Sequence, residues 1–307
     1  MRVTVPIEIT TANLTTTNVT DNVWYDDYGN SFTYSDWNNT TNYLVGDRVI
    51  YINRAYECKL SHTDDVPNQN PNSWIDLGAT NRFCMFDLTS NTQTLRADNI
   101  NITLTLNERV NTIGLLNLDA DSITITMTNA SIVVYSVTEV LGVRNNTVSD
   151  WYEYFYTPFG SKRETAYFDL PPYASATINI VITKTGLTAK CGSVVCGTNE
   201  YLGQVEDGAN TDSLNFSVNE TDSFGNTTLI QRPSKDQIEC ELLSSELNAQ
   251  RLKEIRRMLN AKPAMWSGLD DKDDPYFGNL LTLGFYENFR TRLNKPFVFT
   301  SLKIREI

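Results

Sequence analysis

WNNTTNYLVGDRVIYINRAYECKLSHTDDVPNQNPNSWIDLG runs from Trp37 to Gly78 and decides how the chain is read. Trp37 and Trp74 bracket it. Tyr43, Val45, Val49 and Tyr51 alternate around Gly46-Asp47. That spacing predicts a hairpin, with glycine supplying the open backbone and aspartate a local acceptor. Tyr56 opens a further short strand, and a loop rich in Pro and Asn, Val66 to Asn72, returns the chain to Trp74. So short a unit buries little surface, and its aromatic rings must supply most of its core.

Outward from this unit, the chain has 307 residues, enough for two or three domains. Its net charge of −12 offers no basic surface for nucleic acid or for an anionic membrane face. No apolar run is long enough to cross a bilayer, so no membrane insertion is expected. Met1 to Thr10 reads as a strand, with Val3, Val5, Ile7 and Ile9 alternating with other residues, and not as a signal peptide. Cys58, Cys84, Cys191, Cys196 and Cys240 are sparse and odd in number. The spacing of Cys191 and Cys196 is too long for a C-x-x-C knuckle, so buried reduced thiols are expected ahead of a disulfide or metal site. Without a signal peptide, Asn-x-Ser/Thr triplets such as Asn13-Leu14-Thr15 are compositional, and Thr and Asn suit strand faces and turns.

The expected fold class is mainly β, in four parts. Residues 1–30 hold a strand and a polar lead-in, with turn chemistry at Asp26-Asp27-Tyr28-Gly29-Asn30. Residues 31–78 are the aromatic β unit. Residues 79–203 form a jelly-roll-like sandwich, because Ile100-Ile102-Leu104-Leu106, Ile123-Ile125-Met127 and Ile178-Ile180-Ile182 each alternate with polar or smaller residues. Residues 204–307 form an α+β domain. Its one helix spans about Glu246 to Asn260, capped by Ser245, with Ala249, Leu252, Ile255 and Leu259 as its buried stripe and Arg256-Arg257 near its end. Strands are expected around Ile238–Leu242, Lys262–Trp266, Leu280–Phe289 and Phe297–Ile307. The aromatic run Trp151 to Gly160 reads as a strand packing its rings inside, with a contact loop as the alternative.

Catalytic chemistry has little to stand on. The lone His62 sits inside the small unit, where a structural hydrogen-bonding role is expected. No phosphate loop or dinucleotide fingerprint occurs. The run Asp270-Asp271-Lys272-Asp273-Asp274 lacks the spaced ligands and glycine of a calcium loop and reads as solvated. Asp119 and Asp121 carry the same reading. The expectation is no enzyme, no catalytic residue, no metal and no cofactor.

The order Trp37, Tyr43, Gly46-Asp47-x-Val49, Tyr56, Pro71, Trp74 resembles the small chitin- and cellulose-binding modules of bacterial chitinases. Cys58…Ser61-His62-Thr63 is similar to a variant found in phage tail proteins. The resemblance implies a sugar-binding fold, with Trp37, Tyr43, Tyr56 and Trp74 as candidate carbohydrate-binding residues. Where the chitinase modules carry adjacent exposed aromatics, this chain reads Cys58-Lys59-Leu60. Asn111 to Leu118 with Ser122 to Ile125, and Ala176 to Thr183 with Cys191 to Gly197, resemble a galactose-binding-like sandwich. Residues 204–307 resemble a domain of tailed-phage tail and baseplate proteins. Together the resemblances imply a structural protein of a tailed-phage virion, in the tail, neck or baseplate. Such a protein is assembled in the bacterial cytoplasm and partners other tail and neck proteins, in several copies of a symmetric assembly, with host-surface glycans as a further partner. The alternative is a carbohydrate-binding protein, either receptor-binding or accessory to a polysaccharide-degrading system.

Overall fold

Three rows of aliphatic side chains run straight across three antiparallel strands. Ile100, Ile182 and Ile123 form one row, Ile102, Ile180 and Ile125 the next, and Leu104, Ile178 and Met127 the third. All nine are buried, so the alternation in the sequence marks the core face of Thr94–Thr105, Ser122–Asn129 and Thr177–Tyr201. These positions come from a computed structural model, which describes residues 1–26, 30–142, 150–156, 161–221, 223–232 and 234–307. Residues Asp27, Tyr28 and Gly29 of the turn read at 26–30, Thr157 to Gly160 of the aromatic run, Asp222 and Pro233 lie outside them.

The protein is mainly β, with large antiparallel sheets consistent with a sandwich. The largest sheet has 14 strands. Thr177–Tyr201 is its spine: Thr94–Thr105 and Ser122–Asn129 both pair with its first part, and Thr112–Asp119 and then Arg2–Pro6 pair with its later parts. Arg2–Pro6 lies between this spine and Ala264–Ser267, bonding to both. Beyond it the order continues through Leu281–Asn294, Phe297–Glu306 and Ser234–Ser245. One sheet therefore runs from the central region into the carboxy-terminal region through the first strand of the chain.

The sheet is buried in three main clusters. One cluster holds the aliphatic rows. A second gathers Val3, Cys240, Leu252, Ile255, Trp266, Leu302 and Ile304. A third, with Leu116, Val195, Met265, Phe277, Leu281 and Leu283, joins the central strands to the carboxy-terminal ones. Here the strands approach closely: a methyl group on Gly114 would lie 2.0 Å from the Met265 sulfur.

The predicted helix forms as a 3-10 turn, Glu246–Asn248, leading into an α-helix, Ala249–Met258. The Ser245 hydroxyl accepts from the Leu247 N–H at 3.4 Å, and Leu252, Ile255 and Leu259 are buried against the sheet. The strand expected at Trp151 is instead a short helix, Trp151–Tyr156. Its rings pair at helical spacing, Trp151 with Phe155 and Tyr152 with Tyr156, and these four side chains are exposed rather than packed inside.

The five cysteines are free and buried. Burial pushes the Cys84, Cys191 and Cys196 thiols up to about 12. Asp270, Asp271 and Asp273 of the acidic run are exposed, and two residues of the run also make ion pairs. Asp270 grips Arg2 through two bonds of 2.7 and 3.1 Å, and Lys272 reaches Glu139 at 3.0 Å. Asp119 pairs with Lys184, and Asp121 accepts from the Thr185 N–H. Among the described residues, no group of three or more His, Cys, Asp or Glu side chains is placed to hold a metal ion.

Candidate functional site

The aromatic unit has a four-stranded sheet of its own, in the order Trp74–Ala79, Arg54–Cys58, Arg48–Tyr51, Ser35–Asp36. Its hairpin is not where the sequence placed it. Arg48–Tyr51 pairs with Arg54–Cys58 around Ile52-Asn53, both at positive φ, a geometry that asparagine tolerates. Gly46-Asp47 is a turn between sheets, because Asn42–Tyr43 pairs with His62–Thr63 instead. That turn is closed by the Asp47 carboxylate accepting from the Leu44 N–H at 2.7 Å and by the Gly46 N–H donating to the Cys58 carbonyl at 2.9 Å.

Tyr43, Val49, Tyr56, Cys58 and Trp74 make the core of the unit, with Trp37 and Tyr51 packed against it. Trp74 is 2% exposed, and its indole N–H donates to the Asp65 carbonyl at 2.9 Å. Tyr43 and Tyr56 are each 5% exposed. A sugar ring stacks on an open aromatic face, and these three rings are enclosed. Trp37 is half-buried, edge-on to Tyr51 at 5.4 Å, with its indole nitrogen shielded and without an acceptor among the described residues. The structure therefore brings the four candidates together as a core rather than as a platform. The position of the chitinase modules' exposed aromatics carries buried Cys58 followed by exposed Lys59 and Leu60.

His62 packs between Tyr43 and Trp74, 5.9 and 4.9 Å from their ring centroids. Neither imidazole nitrogen has a hydrogen-bond partner among the described residues, and the nearest Asp65 oxygen is 4.0 Å away. It acts as a packing ring, and the expected hydrogen-bonding role is corrected accordingly.

Further half-buried aromatic rings lie where the stretch read as a polar lead-in, 1–30, meets the start of the unit read at 31–78. Val23–Tyr25 and Ser31–Thr33 form a two-stranded hairpin in which Trp24 faces Phe32. Their rings are 5.9 Å apart, and Tyr34 stacks on Phe32 at 6.1 Å and 14°. Arg48 extends the row: its guanidinium lies 6.0 Å from the Tyr34 ring centroid, donates to the Tyr34 hydroxyl at 3.0 Å and to Glu57 at 2.7 Å. The signal was present as Trp24, Tyr25, Phe32 and Tyr34 in eleven residues, but the intervening turn residues masked it.

The hairpin is fixed at the exit of the unit. The Asn81 N–H donates to the Val23 carbonyl, Thr80 donates to Asp21, and the Asn81 amide bonds both backbone groups of Leu95 at 2.8 and 2.9 Å. Lead-in, unit and sandwich meet at these two buried residues.

No curated protein matches the chain. Residues 36–75 match the family profile of carbohydrate-binding module family 5/12, so the chain carries a segment similar to those modules, set within a larger β protein.

Proposed function

We propose that the protein is a non-enzymatic structural component of a tailed-phage virion, acting by protein–protein assembly and carrying a carbohydrate-binding-type module. The observation that carries this reading is the placement of apolar side chains on strands at the sheet margins and at a hairpin end. Ile132, Val133 and Val140 are exposed on Ile132–Val140, Leu229 and Ile230 on Thr227–Ile230, and Leu293 with Phe297 at the end of the last hairpin. Exposed apolar strands of this kind call for covering partners. Neighbouring subunits of a symmetric assembly supply such partners. The enclosed module core and the walled-in His62 support a scaffold over a catalyst.

Immunogold labelling tests this, using antibody to the recombinant chain on phage particles from the source culture. Gold at the tail or neck is expected. Recovery of the chain only among secreted polysaccharide-degrading enzymes would overturn the reading. The second reading, a carbohydrate-binding protein outside any virion, is favoured by the family 5/12 match, and that second outcome would establish it.

A further inference from the structure

Between the Trp24 hairpin, the edge of the module and the sandwich lies a cleft of about 540 Å³, lined by Trp24, Arg54, Gly78, Asp87, Asn91 and Lys190 among others. This is the size of a small-ligand site and far larger than a single inorganic anion needs. Gly78, at φ +113°, brings the backbone close to the indole: a methyl there would sit 4.0 Å from the Trp24 Nε1.

The cleft is unbalanced in its hydrogen-bonding groups. Its carboxylates are already satisfied by the protein. Asp87 accepts from the Thr89 N–H and hydroxyl on one oxygen and from the Thr92 hydroxyl on both. Asp76, beside it, accepts from the Arg54 Nε at 2.7 Å and from the Gly78 N–H at 2.9 Å. Asp26 accepts from the Asn30 backbone N–H and side-chain amide. The donors are open to the cleft instead of being used within the protein, apart from the Arg54 Nε that holds Asp76. Among the described residues, the Trp24 indole N–H, the Arg54 terminal nitrogens, the Asn91 amide and the Lys190 ammonium have no hydrogen-bond acceptor.

We infer that this cleft binds an acidic oligosaccharide: a pyranose ring lies against Trp24, and a uronate carboxylate is received by Lys190 with Arg54 beside it. An aromatic wall suits the apolar face of a sugar ring, and a surplus of donors suits an acceptor-rich ligand. A charge-assisted bond to Lys190 gives preference for the carboxylated sugar over its neutral counterpart. The overall charge of −12 does not forbid this, because distant charges are screened beyond about 8 Å at physiological salt. Trp24, Asn91 and Lys190 lie outside residues 36–75, so the site is separate from the place where chitinase modules carry their exposed aromatics. The inference does not depend on the virion reading, since its test uses the isolated chain.

The experiment is isothermal titration calorimetry of the full chain with a galacturonate tetramer and with cellotetraose. Binding of the galacturonate tetramer in preference to cellotetraose is expected. Lys190→Met should weaken the galacturonate tetramer by about tenfold and leave any cellotetraose binding unchanged, and Lys190→Arg should restore it. Trp24→Ala should weaken both sugars, with far-ultraviolet circular dichroism reporting whether the hairpin persists. Leu60→Ser, at an exposed residue that does not line the cleft, should change neither. No heat with the galacturonate tetramer, or binding unaffected by both Lys190→Met and Trp24→Ala, would overturn the assignment. Binding abolished by Leu60→Ser alone would move the site to the module.

Discussion

Trp74 and His62 meet edge to face, with ring centroids 4.9 Å apart and planes at 69°, and Tyr43 closes on the Trp74 ring at 5.2 Å. Three rings thus form the hub of a unit that has no room for a larger aliphatic core. Trp74→Ala should cost ~3–5 kcal/mol, the range for deleting a large buried aromatic. Hydrogen exchange should show residues 36–75 opening while the rows of Ile100, Ile102 and Leu104 stay protected. Trp37→Ala should cost less, about 1–2 kcal/mol, because that ring is half-buried. Unchanged melting of both variants together with lost pull-down on insoluble chitin would reverse the assignment of these rings to the core.

Gly114 and Met265 occupy one space at the junction of the central and carboxy-terminal strands. Gly114→Ala should destabilise the protein by about 1–3 kcal/mol through overpacking. Met265→Ala alone should also destabilise, by leaving a cavity. The double variant should recover part of the sum, and the coupling is read from chemical denaturation of all four proteins. Strictly additive costs would mean that the two residues do not share this space.

Burial pushes the Glu164 carboxyl up to about 7, with Asp236 and Glu306 adding repulsion. A carboxyl raised on folding contributes stability that is fully present at low pH and is lost as pH rises through about 7. Glu164→Gln should therefore melt like the wild type near pH 5 and higher than it at pH 8, with a difference of at most ~3 kcal/mol. Identical melting across this range would show that Glu164 ionises without penalty.

Glu139 behaves in the opposite sense. Burial opposes its ionisation, but bonds from Tyr167, Lys162 and Lys272 outweigh it and hold the carboxyl at about 2. A carboxyl lowered on folding contributes stability present at neutral pH and lost as pH falls toward about 2. Glu139→Gln leaves two lysines facing a neutral amide and should cost ~3–5 kcal/mol at pH 7. The deficit should shrink in acid, as followed by thermal melts. A cost independent of pH would assign the loss to packing alone.

The core strands were legible because alternation of Ile with Thr or Asn fixes a face, and the register follows once the face is buried. The helix was legible from its cap and its stripe. The aromatic unit was legible as a unit but not in its pairing: Gly46-Asp47 carries the stronger turn signal, and Ile52-Asn53 closes the hairpin. The role of the Trp24 hairpin was hidden because its strands are three residues long, too short for periodicity to register. The Lys190 side of the cleft was beyond reach, since it arrives from a strand more than a hundred residues away.

The strand Arg2–Pro6 is made long before the two strands it pairs with. Its partners, Gly197 to Tyr201 on one side and Met265 to Ser267 on the other, leave the ribosome only after most of the chain has been synthesised. Until Arg2–Pro6 docks, the spine and Ala264–Ser267 each lack a partner along the edges it will fill. Closure over such sequence separations is slow compared with local hairpins. The interval is when a growing chain could accept the corresponding strand of a neighbour. High local concentrations of nascent copies would thus favour exchange of this one strand, and dilution during synthesis would favour the self-closed chain.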